Sequence, residues 1–325
     1  MKKILTVNFF IILIIIIFLE FIVNIFKLSN LKGIEPGLIN TSNKIHKMYP
    51  NVSGTHYGKK IFIDNNGFRV PYKDYNYDNS NNSIFIIGDS TAFGNGVNEE
   101  NTFVGKLRKK FKNKNFYNTA VPGYNIRHFQ NNLDEIEKFK NVKKVFYFIT
   151  LNDIYGGVSI INLSKNKSTL KNIEHKKTLF EKINIINKLN AFLNSHSYLY
   201  IYLKGITTDP SKRYFMNILN NYSNNKLSEM KNYLTKLKNQ TKNNNIQLKI
   251  IILPYEYQTR NCEKKDLIPQ YMISKILLSL KIDFSDYTSN FCENINPNSL
   301  FYKFDPMHLS TKGHSLVFDL IKNEI

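Results

Sequence analysis

Acidic residues are scarce in this 325-residue chain: 25 Asp and Glu stand against 45 Lys and Arg, a formal net charge of +20. Cysteine is scarcer still, with only Cys262 and Cys292. Two cysteines cannot make a four-ligand zinc site, and neither lies in a CxxC pair. In an oxidising compartment they could close a loop of about 30 residues, worth on the order of 3–4 kcal/mol if unstrained; two buried thiols are the alternative. No two-histidine-plus-carboxylate spacing falls on one helix face, so neither metal nor cofactor is expected, and His314 reads as a helix residue. The positive charge comes without a recognition helix, zinc finger or aromatic-basic signature. Its lysines lie among asparagines and isoleucines along the whole length, so nucleic acid is not an expected partner, and anionic lipid or acidic glycan suits the charge better. No internal repeat is visible. A Gly-x-Ser-x-Gly elbow is also missing, since the nearest run reads Gly88-Asp89-Ser90-Thr91-Ala92.

What is present begins with a length that can bury one large core, or one core with an added subdomain, and a hydrophobic content of 42%, ordinary for a folded protein. Ile4 to Phe26 is almost wholly apolar, broken mainly by Asn8, Glu20 and Asn24. As a helix it would reach about 34 Å, against a bilayer core of about 30 Å. Lys2 and Lys3 precede it, as a cytoplasmic start requires, although Lys27 and Lys32 weaken the asymmetry. The run ends in the bulky Asn24-Ile25-Phe26-Lys27, with no small-x-small cleavage site. The expectation is an uncleaved anchor over residues 1–27, with the rest outside the cytoplasm, periplasmic or extracellular. Glu20, near the far end, is expected to snorkel toward headgroups.

Residues 28–80 carry Gly, Pro, Asn and Tyr without sustained periodicity and read as a stalk, with Asn65-Asn66-Gly67-Phe68-Arg69 as a turn that docks on the main domain. From residue 81 to 325 apolar runs alternate with amphipathic stretches. Strands are expected at Ser83–Gly88, Asn115–Asn118, Val142–Thr150, Gln247–Leu253 and Ile282–Phe284. Helices are expected at Glu99–Phe111, Ile126–Lys140, Leu227–Asn243, Ile268–Leu280 and Thr311–Asn323. This alternation predicts an α/β fold with a parallel sheet covered on both faces. Residues 156–225 break the pattern and read as an insertion. Its tyrosines, Tyr198, Tyr200 and Tyr202, suit either a packed element or a carbohydrate platform.

Ligands of such sheets sit at the carboxyl ends of the strands. Ser90 follows one predicted strand and Asn152 another, so both are placed at that edge. A serine there needs a base for its proton, an acid to hold the base's tautomer, and donors for the oxyanion. Asp305 lies three residues before His308, close enough for one turn to join carboxylate and ring. Asp89 also suits a helix cap, and Asp153 a structural role.

Four stretches together resemble the SGNH (GDSL-type) hydrolase superfamily: Gly88-Asp89-Ser90-Thr91, Asn118-Thr119-Ala120-Val121-Pro122-Gly123, Thr150-Leu151-Asn152-Asp153 and Asp305-Pro306-Met307-His308. The third departs from the family's habit, with Thr150 where glycine is frequent. The resemblance covers about residues 80–325 and implies a three-layer α/β/α sandwich. It also implies a Ser90–His308–Asp305 relay and an oxyanion hole from the Ser90 and Gly123 amides with the Asn152 side chain. Glu256, Gln258 and Arg260, after the Gln247–Leu253 strand, could help recognise a polar substrate or be held by their own hydrogen bonds.

The expected function is a membrane-anchored, extracytoplasmic serine esterase or O-acyltransferase, acting on O-acyl groups of a cell-envelope glycan. The glycan comes from the membrane placement and from anchored members of the family that the chain resembles. A lipase acting on the membrane, and an idle glycan-binding or assembly protein on the same fold, are the alternatives.

Overall fold

A computed structural model describes residues 2–35, 37–41, 46–154, 177–220 and 222–325. It opens with α1 (Lys2–Ile25), whose stretch Ile4–Ile25 is long and apolar enough to cross a bilayer. A short antiparallel ribbon pairs Ile39–Asn40 with Lys47–Met48. Three antiparallel strands follow: β1 (Ser53–His56), β2 (Lys59–Ile63) and β3 (Arg69–Val70).

The rest alternates. In chain order it runs β4 (Asn82–Ile87), α2 (Ser90–Phe93), α3 (Phe103–Lys110), β5 (Lys114–Asn118), α4 (Phe129–Ile136) and β6 (Val142–Ile149). The helices α5 (Lys177–His196), α6 (Tyr198–Thr208), α7 (Pro210–Leu219) and α8 (Asn224–Asn243) come next. Then follow β7 (Gln247–Ile252), α9 (Glu256–Asn261), α10 (Ile268–Ser279), β8 (Asp283–Asp286), α11 (Thr288–Cys292) and α12 (Thr311–Ile321).

The sheet has the order β8-β7-β6-β4-β5-β3-β2-β1. Its β4–β8 half is parallel throughout, and β3 joins β5 antiparallel. Helices α4, α8 and α10 pack in one group, and α3 and α12 in another, so the sheet is clothed on both faces. That is why Ile84–Ile87, Val145–Ile149 and Ile250–Ile252 are continuous buried apolar runs rather than alternating ones. Within the parallel half, the chain first steps from β4 to β5, then returns to place β6 on the other side of β4. The switch point of the topology is therefore the crevice beyond the ends of β4 and β6, where open α/β sheets take ligands.

Several expectations need correction. Residues 53–70 are not a stalk: they supply three strands of the sheet, with Ile61, Ile63 and Val70 in the core and Arg69 fully buried. A stretch this short hides its alternation, and pairing along the β5 edge makes it a strand. The Asn65–Gly67 turn links β2 to β3, held by Asp64 Oδ1, which accepts from the N–H of Asn66 (2.9 Å) and Phe68 (2.8 Å). The helix expected over 126–140 is confined to Phe129–Ile136. Asn125 Oδ1 accepts from Arg127 N at 3.0 Å, a local turn that competes with helix at its start.

Of the 156–225 insertion, residues up to 176 lie outside the described residues. The tyrosine-bearing segment is the packed helix α6, with Ile201 and Gly205 buried. Glu20 does not reach for headgroups. Its carboxylate caps α6, accepting from Ser197 Oγ (2.8 Å), Tyr198 N (2.6 Å) and Leu199 N (3.0 Å). Cys262 and Cys292 form a disulfide that ties the end of α9 to α11.

Candidate active site

Ser90 is the first residue of α2, directly beyond β4. Asp89 caps the helix, its Oδ1 accepting from Thr91 N at 2.8 Å. Gly88 is required by close approach: a Cβ there would collide with Ala92. The result is a tight strand-to-helix corner that lifts the hydroxyl to the sheet edge. Ser90 keeps 8% of its surface exposed.

His308 arrives from the far end of the chain. Its Nε2 lies 2.8 Å from Ser90 Oγ, and its Nδ1 lies 3.0 Å from Asp305 Oδ2. Asp305 Oδ1 accepts from the backbone N–H of Met307 (3.1 Å) and His308 (2.9 Å), so the turn that spaces the two residues also locks the carboxylate. Burial alone would raise the Asp305 pKa; the His308 ring, Lys32 and these hydrogen bonds outweigh it and hold the carboxyl well below the usual carboxylate range. Lys32 Nζ is 3.5 Å from Asp305 Oδ2 and donates to Phe304 O at 2.8 Å. With Asp305 anionic, Nδ1 carries the proton and Nε2 is left to accept one from Ser90.

Asn152 sits in the turn after β6. Its Oδ1 is held by the hydroxyls of Tyr255 (2.8 Å) and Thr150 (2.5 Å), while Tyr255 accepts from Asn152 N at 3.0 Å. Both hydroxyls grip the carbonyl side of the amide, so its Nδ2 is the donor presented away from them, and Nδ2 itself lies 3.4 Å from Asp89 Oδ2. Thr150 Oγ1 is also 3.0 Å from Asp89 Oδ2. The departure from glycine at this position thus supplies a hydroxyl that joins the first and third blocks. Asp153 closes a capping box on Thr150, its Oδ2 accepting from Thr150 N at 2.8 Å, and is fully buried.

Gly123 has φ +83°, a conformation costly for any side chain. The peptide joining Pro122 to Gly123 is gripped from one side: Pro122 O lies 2.8 Å from His46 Nε2. In a trans peptide C=O and N–H point in opposite directions, so this bond turns the Gly123 N–H away from His46. Tyr124 donates to His46 O at 2.8 Å and fixes the histidine in turn.

The structure therefore brings Ser90, Asp305, His308 and Asn152 to one edge, with Gly123 on the adjoining loop. It does not bring Glu256, Gln258 and Arg260 there as free groups. Gln258 is fully buried, bonded to Gln270 (2.7 Å), Asp266 O (2.6 Å) and Tyr255 N (2.9 Å). Arg260 pairs with Glu256 (2.8 Å) and with Asp209 at the start of α7 (2.7 Å). These side chains hold α9 to its neighbours because a helix following the strand lets i, i+4 pairs close.

Sequence reasoning missed several contributors, among them Lys32, His46 and Tyr255, which carry no motif. Arg69, another, donates to Phe93 O and Gly94 O, both at 2.7 Å, bracing the end of the Ser90 helix. Its Nε faces Glu99 Oε2 at 3.2 Å, and Glu99 also pairs with Arg108. A hydrophobic neighbourhood around a lone Arg, as in Phe68-Arg69-Val70, was the available hint.

No protein-family model matches the sequence, and no curated protein does. Among solved structures the chain is similar to the acetyl xylan esterase AlAXEase (13% identity, TM-score 0.45, covering 75% of this chain and 99% of that one). It is similar also to a lipase/acylhydrolase from Enterococcus faecalis (13% identity, TM-score 0.43, 75% and 95%). A third is the psychrotrophic esterase EstA from Pseudoalteromonas sp. (14% identity, TM-score 0.42, 75% and 96%). The geometry of the site, and not these likenesses, carries the functional reading. In its α/β fold and in the blocks gathered at one sheet edge, the chain resembles the SGNH (GDSL-type) hydrolases.

Proposed function

We propose that the protein is a membrane-anchored serine esterase or O-acyltransferase that works through an acyl-enzyme on Ser90, with O-acyl groups of a cell-envelope glycan as its substrate. The observation that carries this reading is the continuous relay from Ser90 Oγ through His308 to Asp305, at 2.8 and 3.0 Å. As Oγ bonds to the acyl carbon, its proton passes to His308 Nε2. The N–H groups of Ser90 and Gly123 and the Asn152 amide are the donors for the oxyanion. When the tetrahedral intermediate collapses, the leaving alcohol takes the proton from Nε2. Water or a sugar hydroxyl then gives its own proton to Nε2 as it attacks the acyl carbon, and when this second intermediate collapses Nε2 returns that proton to the departing Ser90 Oγ.

The anchor over residues 1–27 supports the membrane part of this reading, and the Cys262–Cys292 bond fits an oxidising compartment outside the cytoplasm. The testing experiment is turnover of aryl esters by the full chain in detergent or nanodiscs, with acyl length varied and sugar acceptors added. Preference for acetyl, with acetylated sugar formed or acetyl glycan consumed, is the expected result. Rates that climb with chain length would replace the glycan reading by a lipase. Absence of turnover in folded protein, with and without acceptor, would remove the enzyme reading.

A further inference from the structure

Helices α5 and α6 expose an apolar face that the site does not use. Along α5, Ile185, Ile186, Leu189 and Phe192 are each more than half exposed, and their spacing places them on one stripe of the helix. On α6, the helix that follows and packs against α5, Leu203 and Ile206 are exposed as well, at 49% and 56%. Lys188 on α5 is exposed close beside the stripe.

The position of these helices along α1 says what covers them. Every residue from Ile4 to Leu19 is exposed, whereas Glu20, Ile22 and Val23 of α1 meet protein. Val23 is 3% exposed, α1 packs along α6, and Glu20 caps the α6 N-terminus. Beyond the helix, Ser29 Oγ donates to Tyr198 O (2.6 Å) and Lys32 N to Asn194 O (2.8 Å), so the exit segment is fastened to the α5–α6 corner. Ile4 to Leu19 spans only about 24 Å at 1.5 Å per residue. A bilayer core is about 30 Å thick, so about 6 Å of the span must lie where α6 flanks α1.

We propose that the exposed apolar face of α5 and α6 seats in the lipid interface of the leaflet from which α1 emerges, making the α5–α6 pair a membrane-surface element of the folded domain. This rests on the anchor reading of α1 and goes beyond it. Apolar side chains with a flanking lysine are the composition that holds an interfacial helix against anionic headgroups. The same unit abuts the site. Gly205 of α6 lies against the Phe304 ring, leaving no room for a Cβ, and Phe304 precedes Asp305. An ester presented at the bilayer surface would thus meet Ser90 in a body already seated there.

The chain contains no tryptophan, so one introduced indole reports its own surroundings. Phe192→Trp, Phe18→Trp and Tyr271→Trp would each be made in the full chain and reconstituted in phosphatidylcholine–phosphatidylglycerol vesicles. Quenching by brominated lipid is then compared with quenching by aqueous iodide. Phe18 lies in the free part of α1, and Tyr271 is an exposed position on α10, 68% accessible. The proposal expects the Phe192→Trp indole to be blue-shifted and quenched by brominated lipid, as at position 18, while the position 271 indole is quenched by iodide alone. Lipid quenching at 18 but iodide quenching at 192 overturns the proposal and leaves the anchor standing. An indole at 192 shielded from both quenchers means that protein covers the face, which also overturns it. No lipid quenching at position 18 removes the anchor and this proposal together.

Discussion

Two buried clusters of charge lie on either side of the Ser90 helix, built from the same chemistry and left in opposite states. In one, Arg69 and Arg108 enclose Glu99, and the guanidinium donors go to the carbonyls of Phe93, Gly94, Phe116 and Arg69 itself. In the other, Asp305 and His308 are joined, and the last ring nitrogen faces a serine hydroxyl at the sheet edge. The first cluster ends in backbone carbonyls and the Tyr77 hydroxyl, and offers no nucleophile at the sheet edge. The second ends in an atom that can form a bond. The lesson is that burial and ion pairing do not separate structure from chemistry; the destination of the final hydrogen bond does. The triad should therefore govern rate, and the arginine cluster stability.

The largest effect is expected from Ser90→Ala. Turnover should fall by about 10⁵-fold or more, with the thermal midpoint close to that of the wild type; retained aryl-ester turnover would end the acyl-enzyme reading. Arg69→Met should act on the other axis. It leaves Glu99 short of a partner and frees the carbonyls after α2, at a cost of about 3–5 kcal/mol in unfolding free energy. Urea denaturation checks this, and the pH profile of the molecules still folded should keep its shape. Asn152→Ala should lower kcat by about 10²–10³-fold, or about 2.7–4 kcal/mol, with little change in KM. Unchanged kcat would withdraw Asn152 from the oxyanion role.

The most gradual effect concerns acid. Burial first, and then the Arg69 charge, holds His56 and His314 down to about 3 from the ordinary 6.5. Between those values the unfolded chain binds protons that the folded protein refuses, so stability is fully present above pH 6.5 and falls as the pH drops toward 3. Each histidine should contribute about 1.4 kcal/mol per pH unit in that window. His128, held down to about 4 chiefly by burial, adds to the slope. Urea midpoints at pH 7.5 and 5.0 measure it, and equal midpoints would mean that these rings are solvated. Asp305 works in the same sense at lower pH: its depressed pKa supplies stability that is lost as the pH falls through it.

The parallel half of the sheet was legible because a strand covered on both faces must be a continuous apolar run, as Val145–Ile149 is. The site blocks were legible because each needs particular residues at short spacing, such as Asp305 three before His308. The antiparallel edge was not. Arg69–Val70 has no pattern to read, and its strand exists only because β5 and β2 offer partners on either side. Gln258 looked like a polar loop residue because one side chain in sequence does not show that Gln270 lies opposite it.

By itself the sequence determined the alternating α/β order, the apolar N-terminal helix and which residue types stand at the strand ends, since these depend on local periodicity and on neighbours within a few residues. Only the tertiary structure decided that Lys32, His46, Arg69 and Tyr255 support the site and that Glu20 caps α6. Each of those contacts joins groups far apart along the chain. Their value lies in burial and direction, which no residue possesses until the fold supplies its neighbours.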